Sequence, residues 1–424
     1  MLAPSPASPE SVGMSTSALA RIDAHLKSRY IDSGRFPGTQ LLVYRRGKVA
    51  HFSTQGLADV ERNVPLRDDT IFRIYSMTKP ITTVAFMMLV EEGRVAIDEP
   101  VHRYIPEWKD LGVFVAGTHP AFLTRPPSRP MQIVDLLRHT SGLTYGFQQR
   151  SNVDAAYREK KIGEVEKAGT LQSMVEDLAK IPLEFSPGEA WNYSVSTDVI
   201  GYLIGKIADQ PFEQFLKERI FDPLGMKDTD FHVPSDKAHR LAACYSADPH
   251  GGTSFHAGTR REGLTLQDDP KTSSFLSPPS LISGGGGLCS TTADYLSFCR
   301  ALINGGELAG VRLLGPKTLE LMTSNHLPGG LDLPGLSRSL FSEATYYGIG
   351  FGLGFSVTME PAKTLIAGSA GEYSWGGAAT TSFWIDPAEQ LITIFMTQVL
   401  PSSAYPLRRE LRTMVYAAIT ESNL

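Results

Sequence analysis

The sequence predicts an α/β protein in which strands from both ends of the chain build one lobe and helices from the middle build another. Three observations carry this reading. A hairpin pattern lies near the N-terminus, β-branched and aromatic runs cluster near the C-terminus, and helical periodicity fills the stretch between them.

Ser15 is a good helix N-cap, and Leu19, Ile22 and Leu26 share one face of the helix it opens. Gln40 to Tyr44 and Val49 to Thr54 read as strands, and Arg45-Arg46-Gly47-Lys48 as the turn of a hairpin. Ser76 starts the clearest helix, with Ile81, Val84, Ala85, Met88 and Leu89 at three- and four-residue spacing and Gly93 at its C-terminal end. Pro80 falls in its first turn, where a missing N–H does little harm. Asp98 to Asp230 reads as mainly helical, interrupted by loops at Pro120 to Pro130 and Ser186-Pro187-Gly188. His232 to Gly287 has no period and reads as a long loop edging a pocket.

Helices are expected again near Ala293 to Ile303 and Pro316 to Thr323. Strands follow at Tyr347 to Val357, Thr380 to Ile385 and Leu391 to Thr397, and Leu407 to Ile419 closes the chain as a helix. The α/β domain therefore takes residues 1–79 and 288–424, and the mainly helical domain with its pocket-edging loops takes 80–287.

At 424 residues the chain can bury a large core, and its 42% hydrophobic and 20% charged content is that of an ordinary globular protein. A net charge of −5 without a basic cluster argues against a nucleic-acid partner. Cys244, Cys289 and Cys299 are odd in number and lack ligand spacing, so they read as buried thiols rather than a disulfide framework. The histidines show no metal-binding motif, and neither a metal nor a cofactor is expected. Met1 to Gly13 lacks a signal pattern, and no run approaches the roughly 18 apolar residues of a membrane span, so the expected location is the cytoplasm.

Ser76-Met77-Thr78-Lys79 is the first chemical candidate. A serine hydroxyl is a weak nucleophile until a base takes its proton, and residues three apart on a helix lie on one face. A lysine serves as that base once burial or nearby positive charge lowers its pKa. A chain of this length holds roughly one or two such patterns by chance, and on the four residues alone an N-cap serine before a surface lysine is the commoner case. This Ser-x-x-Lys, however, occurs once and opens a strongly apolar helix.

Tyr193, in the turn before the helix of Val199, Ile200, Leu203 and Ile204 with Ser196 as its N-cap, is placed to relay that proton. Alone, it also reads as a buried tyrosine packed on Trp191. In Trp375-Gly376-Gly377-Ala378, paired glycines let a substrate approach the backbone. An N–H just after them, with that of Ser76, suits an oxyanion; alone, the motif is also a turn leading into a strand.

Together, the order Ser76-x-x-Lys79, Tyr193, Trp375-Gly376-Gly377 resembles the β-lactamase-like serine hydrolases, over about Arg35 to the C-terminus. Leu136 to Leu143, Ser283 to Leu288 and Asp222 to Met226 support the likeness. Within that superfamily the chain looks most like the family VIII carboxylesterases, with the lovastatin-type acyltransferases next. The resemblance implies a β-lactamase/transpeptidase-like fold, an antiparallel sheet flanked by helices plus an inserted mainly helical domain. It implies Ser76 as acylated nucleophile, Lys79 and Tyr193 as base and relay in unassigned order, and the N–H groups of Ser76 and Ala378 as oxyanion hole.

Two departures bear on substrate. Class C β-lactamases carry Tyr-x-Asn, where this chain has Val195, and Lys-Thr-Gly, where it has Trp375-Gly376-Gly377. Exchanging a cation for an indole turns an anion clamp into an apolar wall, which favours a neutral, short-to-medium acyl ester and leaves weak β-lactam hydrolysis as a side activity. Competing readings are acyl transfer to a natural-product alcohol, a β-lactamase- or D-amino-acid-peptidase-like hydrolase, and a silent binding domain on the same fold. Tyr145 and Phe147 are candidate pocket residues, with core packing as the alternative. His139 reads as a structural histidine, and Ala367-Gly368-Ser369-Ala370-Gly371 as a loop rather than a nucleophile elbow, because no apolar helix follows it.

Overall fold

The computed structural model describes residues 7–163, 169–247, 263–338 and 346–423. Its centre is an eight-stranded antiparallel sheet drawn from both ends of the chain. The N-terminal end supplies β1 (Gly38–Arg45), β2 (Lys48–Asp59) and β3 (Val64–Pro65). The C-terminal end supplies β4 (Ile349–Phe351), β5 (Ser356–Thr358), β6 (Tyr373–Gly376), β7 (Ser382–Asp386) and β8 (Leu391–Met396). Their order is β4-β5-β6-β7-β8-β1-β2-β3. The two ends of the chain meet where β1 pairs with β8, Leu42 facing Ile394.

Every residue of β1 and β8 is buried, and the period-two pleat sorts their side chains between two cores. Leu41, Val43, Leu391 and Phe395 face helices α1 (Thr16–Leu26) and α5 (Leu407–Ala417), which pack on each other. Leu42, Tyr44, Ile392 and Ile394 face the larger core, shared with α2 (Thr78–Glu91), α3 (Ser196–Ala208) and α4 (Thr292–Ile303). Burial of each such side chain contributes about 1.5–3 kcal/mol. Among the described residues no helix is long and apolar enough to cross a membrane.

Ser15 caps α1 through the Ala18 N–H, and Gly93 follows α2 at φ 70°, as expected from sequence. The expected Ser76 helix start is two residues early. Tyr75–Met77 form a tight 3₁₀ turn, with Tyr75 at φ 42°, and the α-helix begins at Thr78. Ser196 does not cap α3: Val195 takes the cap position, and the Ser196 hydroxyl instead meets Ser141 and Ser194 at 2.8 and 2.7 Å.

The segment read as helical from Asp98 contains a hairpin, Val113–Thr118 with Ala121–Arg125; its Val and Phe residues follow strand rather than helix preference. The strand expected over Tyr347 to Val357 is two, β4 and β5, folded back at Gly352 to Phe355. Thr380 stands in a turn at φ 68° before β7 begins. Within the expected loop His232 to Gly287, residues 248–262 lie outside the described residues. Cys244–Ser246 and Thr265–Asp268 there are short strands, and Cys244–Ser246 runs parallel to Val399–Leu400. A four-residue ladder is too short for its period to stand out in sequence.

Candidate active site

Between Thr70 and Leu89 only Tyr75 and Ser76 are partly exposed; every other residue is buried. The turn that lifts them is pinned on both sides. Phe72–Arg73 pairs with Cys289–Ser290, the Ile74 N–H donates to the Leu288 carbonyl at 3.0 Å, and Tyr295 Oη donates to the Met77 carbonyl at 3.0 Å. The left-handed Tyr75 backbone is an uncommon conformation for a bulky residue, and its position directly before Ser76 suits a site that aims one side chain.

Lys79 and Tyr193 converge on the Ser76 hydroxyl. Tyr193 Oη donates to Ser76 Oγ at 2.7 Å, and Lys79 Nζ lies 3.2 Å from the same oxygen. Lys79 is 2% exposed and has no carboxylate in salt-bridge contact among the described residues. Its ammonium donates to the Gly285 carbonyl at 2.6 Å and stands 4.5 Å from the Tyr193 ring centre. Burial lowers its pKa to about 7, against the charge of Asp198, which raises it. Burial raises the pKa of Tyr193, so the phenol is neutral at neutral pH although hydrogen bonds to Ser76 and Trp375 favour its anion.

Asp198 was not legible as part of this site. It lies on α3, one turn beyond Tyr193, and is buried. Its Oδ1 accepts from Ser283 Oγ at 2.5 Å and from the Gly285 N–H at 3.0 Å, so it fixes the peptide segment whose carbonyl holds Lys79. Burial pushes its carboxyl up, opposed by the Lys79 charge and by these two hydrogen bonds. The glycine-rich segment Ser283 to Gly287, which the sequence marks only by family likeness, is held by this buried carboxylate and by Thr82, whose hydroxyl donates to the Gly284 carbonyl at 2.8 Å.

Tyr193 is held by its neighbours. Asn192 Nδ2 donates to the Leu143 carbonyl at 3.0 Å, and the Asn192 N–H to the His139 carbonyl at 2.9 Å. The His139 ring meets Ser194 Oγ at 3.2 Å and packs 5.0 Å from the Tyr193 ring, and burial, with the Lys79 charge adding to it, pushes its pKa well down. It is a neutral wall of the site rather than a base for Ser76.

Trp375, at the end of β6, meets Tyr193 at 5.4 Å and Phe351 edge-on at 5.3 Å between ring centres. Tyr145 stacks on Phe147 at 4.8 Å and reaches Tyr193 at 5.3 Å; Tyr145 is buried and Phe147 half-buried. Gly377 also answers a packing demand that the sequence does not show. A Cβ on Gly377 would stand 2.4 Å from the Ile74 carbonyl oxygen and 2.2 Å from Thr381 Oγ1, so this glycine lets β6 close on the Ser76 turn. The turn's hydrogen bonds come from the Met77 and Thr78 N–H groups, and no described hydrogen bond uses the Ala378 N–H. The segment Ala367 to Gly371 is a loop leading into β6.

The three cysteines are free and buried, and among the described residues no group of three or more His, Cys, Asp or Glu side chains is arranged to hold a metal.

A family model described as Beta-lactamase matches residues 21–417. An uncharacterized protein of Mycobacterium tuberculosis is 36% identical over 374 residues, covering 87% of this chain and 88% of that protein. Esterase EstB of Burkholderia gladioli is 30% identical over 410 residues, covering 95% and 96%. Simvastatin synthase (LovD) from Aspergillus terreus superposes with a TM-score of 0.77 at 24% identity, covering 95% of this chain and 98% of the other, and shares the fold.

Proposed function

The chain belongs to the Beta-lactamase family, and on that premise we propose that it is a serine carboxylesterase that hydrolyses neutral, short-to-medium acyl esters through an acyl-enzyme on Ser76. The observation that carries this is the pair of contacts on one hydroxyl: a buried lysine with a pKa of about 7 and a neutral tyrosine, both within hydrogen-bond reach of Ser76 Oγ. The similarity to an esterase over nearly the whole of both chains supports the ester as the bond attacked.

The lowered Lys79 pKa favours the lysine as first base, because burial disfavours its charged form and so favours the free amine that can accept a proton. Lys79 Nζ takes the Ser76 proton as Oγ attacks the ester carbonyl carbon. The oxyanion lies between the N–H groups of Ser76 and Ala378. As the intermediate collapses, the C–O bond to the alcohol breaks. The proton on Lys79 passes through the Tyr193 phenol to the leaving oxygen. Water then attacks the acyl-enzyme, gives its proton back along the same pair, and releases the carboxylic acid with Ser76 restored.

The wall formed by Trp375, Phe351 and Tyr193 suits an uncharged ester better than an anionic one. The substrate is thus a small molecule. Ser76→Ala is expected to abolish turnover of p-nitrophenyl esters and covalent labelling by a fluorophosphonate, with the fold intact by circular dichroism. Labelling that persists in that variant moves the nucleophile elsewhere. A large rate gain on adding alcohol acceptors would instead make acyl transfer the main reaction.

A further inference from the structure

The turn that carries Ala378 is gripped from the far side of the sheet. Arg408, in the first turn of α5, donates through one nitrogen, Nη2, to the Gly377 carbonyl at 3.0 Å and to the Thr381 carbonyl at 3.1 Å. Gly377 O also accepts the Thr380 N–H at 3.2 Å, and Thr381 O the Gly377 N–H at 2.8 Å. The guanidinium therefore bridges both ends of the β6–β7 turn. It passes so close to Gly376 that a Cβ there would lie 2.5 Å from Nη2. The other side of the turn is fixed by Val399, whose N–H donates to Ala379 O at 3.1 Å and whose carbonyl accepts from Thr380 Oγ1 at 2.6 Å.

The Gly377 carbonyl and the Ala378 N–H are the two ends of one planar peptide group. A cation bound to the carbonyl draws electron density along that group and makes the N–H a stronger donor, and it fixes the direction in which the N–H points. No carboxylate forms a salt bridge with Arg408 among the described residues, and its Nη2 is committed to the two turn carbonyls. The same charge acts on Tyr193, whose anion it favours, which puts the guanidinium within electrostatic reach of the reacting groups.

We propose that Arg408 is a positioning residue for acylation: by holding the Gly377 carbonyl it orients and polarises the Ala378 N–H that receives the oxyanion. This rests on the assignment of Ser76 as nucleophile and Ala378 as oxyanion donor. A substrate-anion site at Arg408 would instead affect only carboxylate-bearing esters.

The test uses the full chain with a neutral ester, p-nitrophenyl butyrate, and compares Arg408→Met and Arg408→Lys with the unaltered enzyme. Losing one oxyanion donor outright costs about 10²–10³-fold, so weakening one through its peptide group should slow single-turnover acylation about 10–100-fold in Arg408→Met. Arg408→Lys should lose less, and the ester concentration that half-saturates the single-turnover rate should stay within about 3-fold in both, the split that removal of a transition-state interaction produces. The infrared carbonyl band of the acyl-enzyme should move to higher frequency in Arg408→Met, as the carbonyl loses hydrogen-bond strength. Unchanged acylation, a band that does not move, or loss of the folded state in both variants overturns the proposal and leaves Arg408 as a frame residue. Fluorophosphonate labelling that survives Ser76→Ala would overturn the underlying reading instead, so the two failures are separable.

Discussion

The two faces of the central sheet each bury a cation, and they treat it in opposite ways. On the face of the terminal helices Arg45 is fully enclosed and fully answered. It pairs with Glu389 and donates to the carbonyls of Val12 and Gly13 at 2.9 Å, of Glu421 at 2.7 Å and of Glu389 at 3.1 Å. On the other face Lys79 is almost as enclosed, but it holds one carbonyl and a neutral hydroxyl. The nearby carboxylate of Asp198 bonds to Ser283 and Gly285 instead. A buried charge with a full set of acceptors stays charged and ties segments together. One without them tends to lose its proton, which is what a general base requires. Arg45 fastens the chain's two ends to the sheet, and Lys79 is left able to give and take a proton.

The comparison breaks most visibly if either cation is replaced. Lys79→Met should lower kcat on p-nitrophenyl esters by about 10³-fold or more while leaving the melting temperature near that of the unaltered protein. Adding Tyr193→Phe to it should cost much less than Tyr193→Phe alone, because the two act as one unit. Arg45→Met should do the reverse. It leaves Glu389 buried without its partner and should cost about 3–5 kcal/mol in urea unfolding, with kcat per folded molecule unchanged. A Lys79 variant that unfolds, or an Arg45 variant that is inactive while folded, would contradict the division of labour.

A smaller effect sharpens it. In the free enzyme kcat/KM should rise with pH through about 7, since only the deprotonated lysine is a base. Asp198 raises the Lys79 pKa, so Asp198→Asn, which keeps an acceptor oxygen but removes the charge, should move that acidic limb to lower pH. A limb that stays in place would separate Asp198 from the lysine's titration. The smallest effect is expected at Trp375. Trp375→Lys should shift the ratio of kcat/KM for a cephalosporin over a neutral ester upward by about 10-fold, read from paired steady-state assays.

Much of the sheet was legible because its strands carry local signals. The hairpin Gln40 to Tyr44 with Val49 to Thr54 appears as β1 and β2, extended by a few residues at their outer ends. The Leu391 strand and the helices near Ala293, Pro316 and Leu407 were placed within two residues at each end. Strands of two to four residues were missed, as at Cys244–Ser246, because so short a run has no measurable period. The packing demand on the glycines after Trp375 was not legible, since the neighbours that impose it, Ile74 and Arg408, are remote in sequence.

What the sequence offered by itself is Ser76 and Lys79 three residues apart at the head of a strongly apolar helix, a spacing that lets them meet; the structure winds Ser76 in the 3₁₀ turn and Lys79 in the first turn of α2. The sequence also proposed Tyr193, from its place in a turn before a helix and from the order of the motifs. Only the tertiary structure decided that Tyr193 reaches Ser76 at 2.7 Å, that Asp198 stands behind Gly285, and that Arg408 holds the Gly377 peptide from the other face. The reason is that a serine–lysine spacing is a property of a few consecutive residues, whereas the lysine's pKa depends on how much water and how much opposite charge the rest of the chain leaves around it.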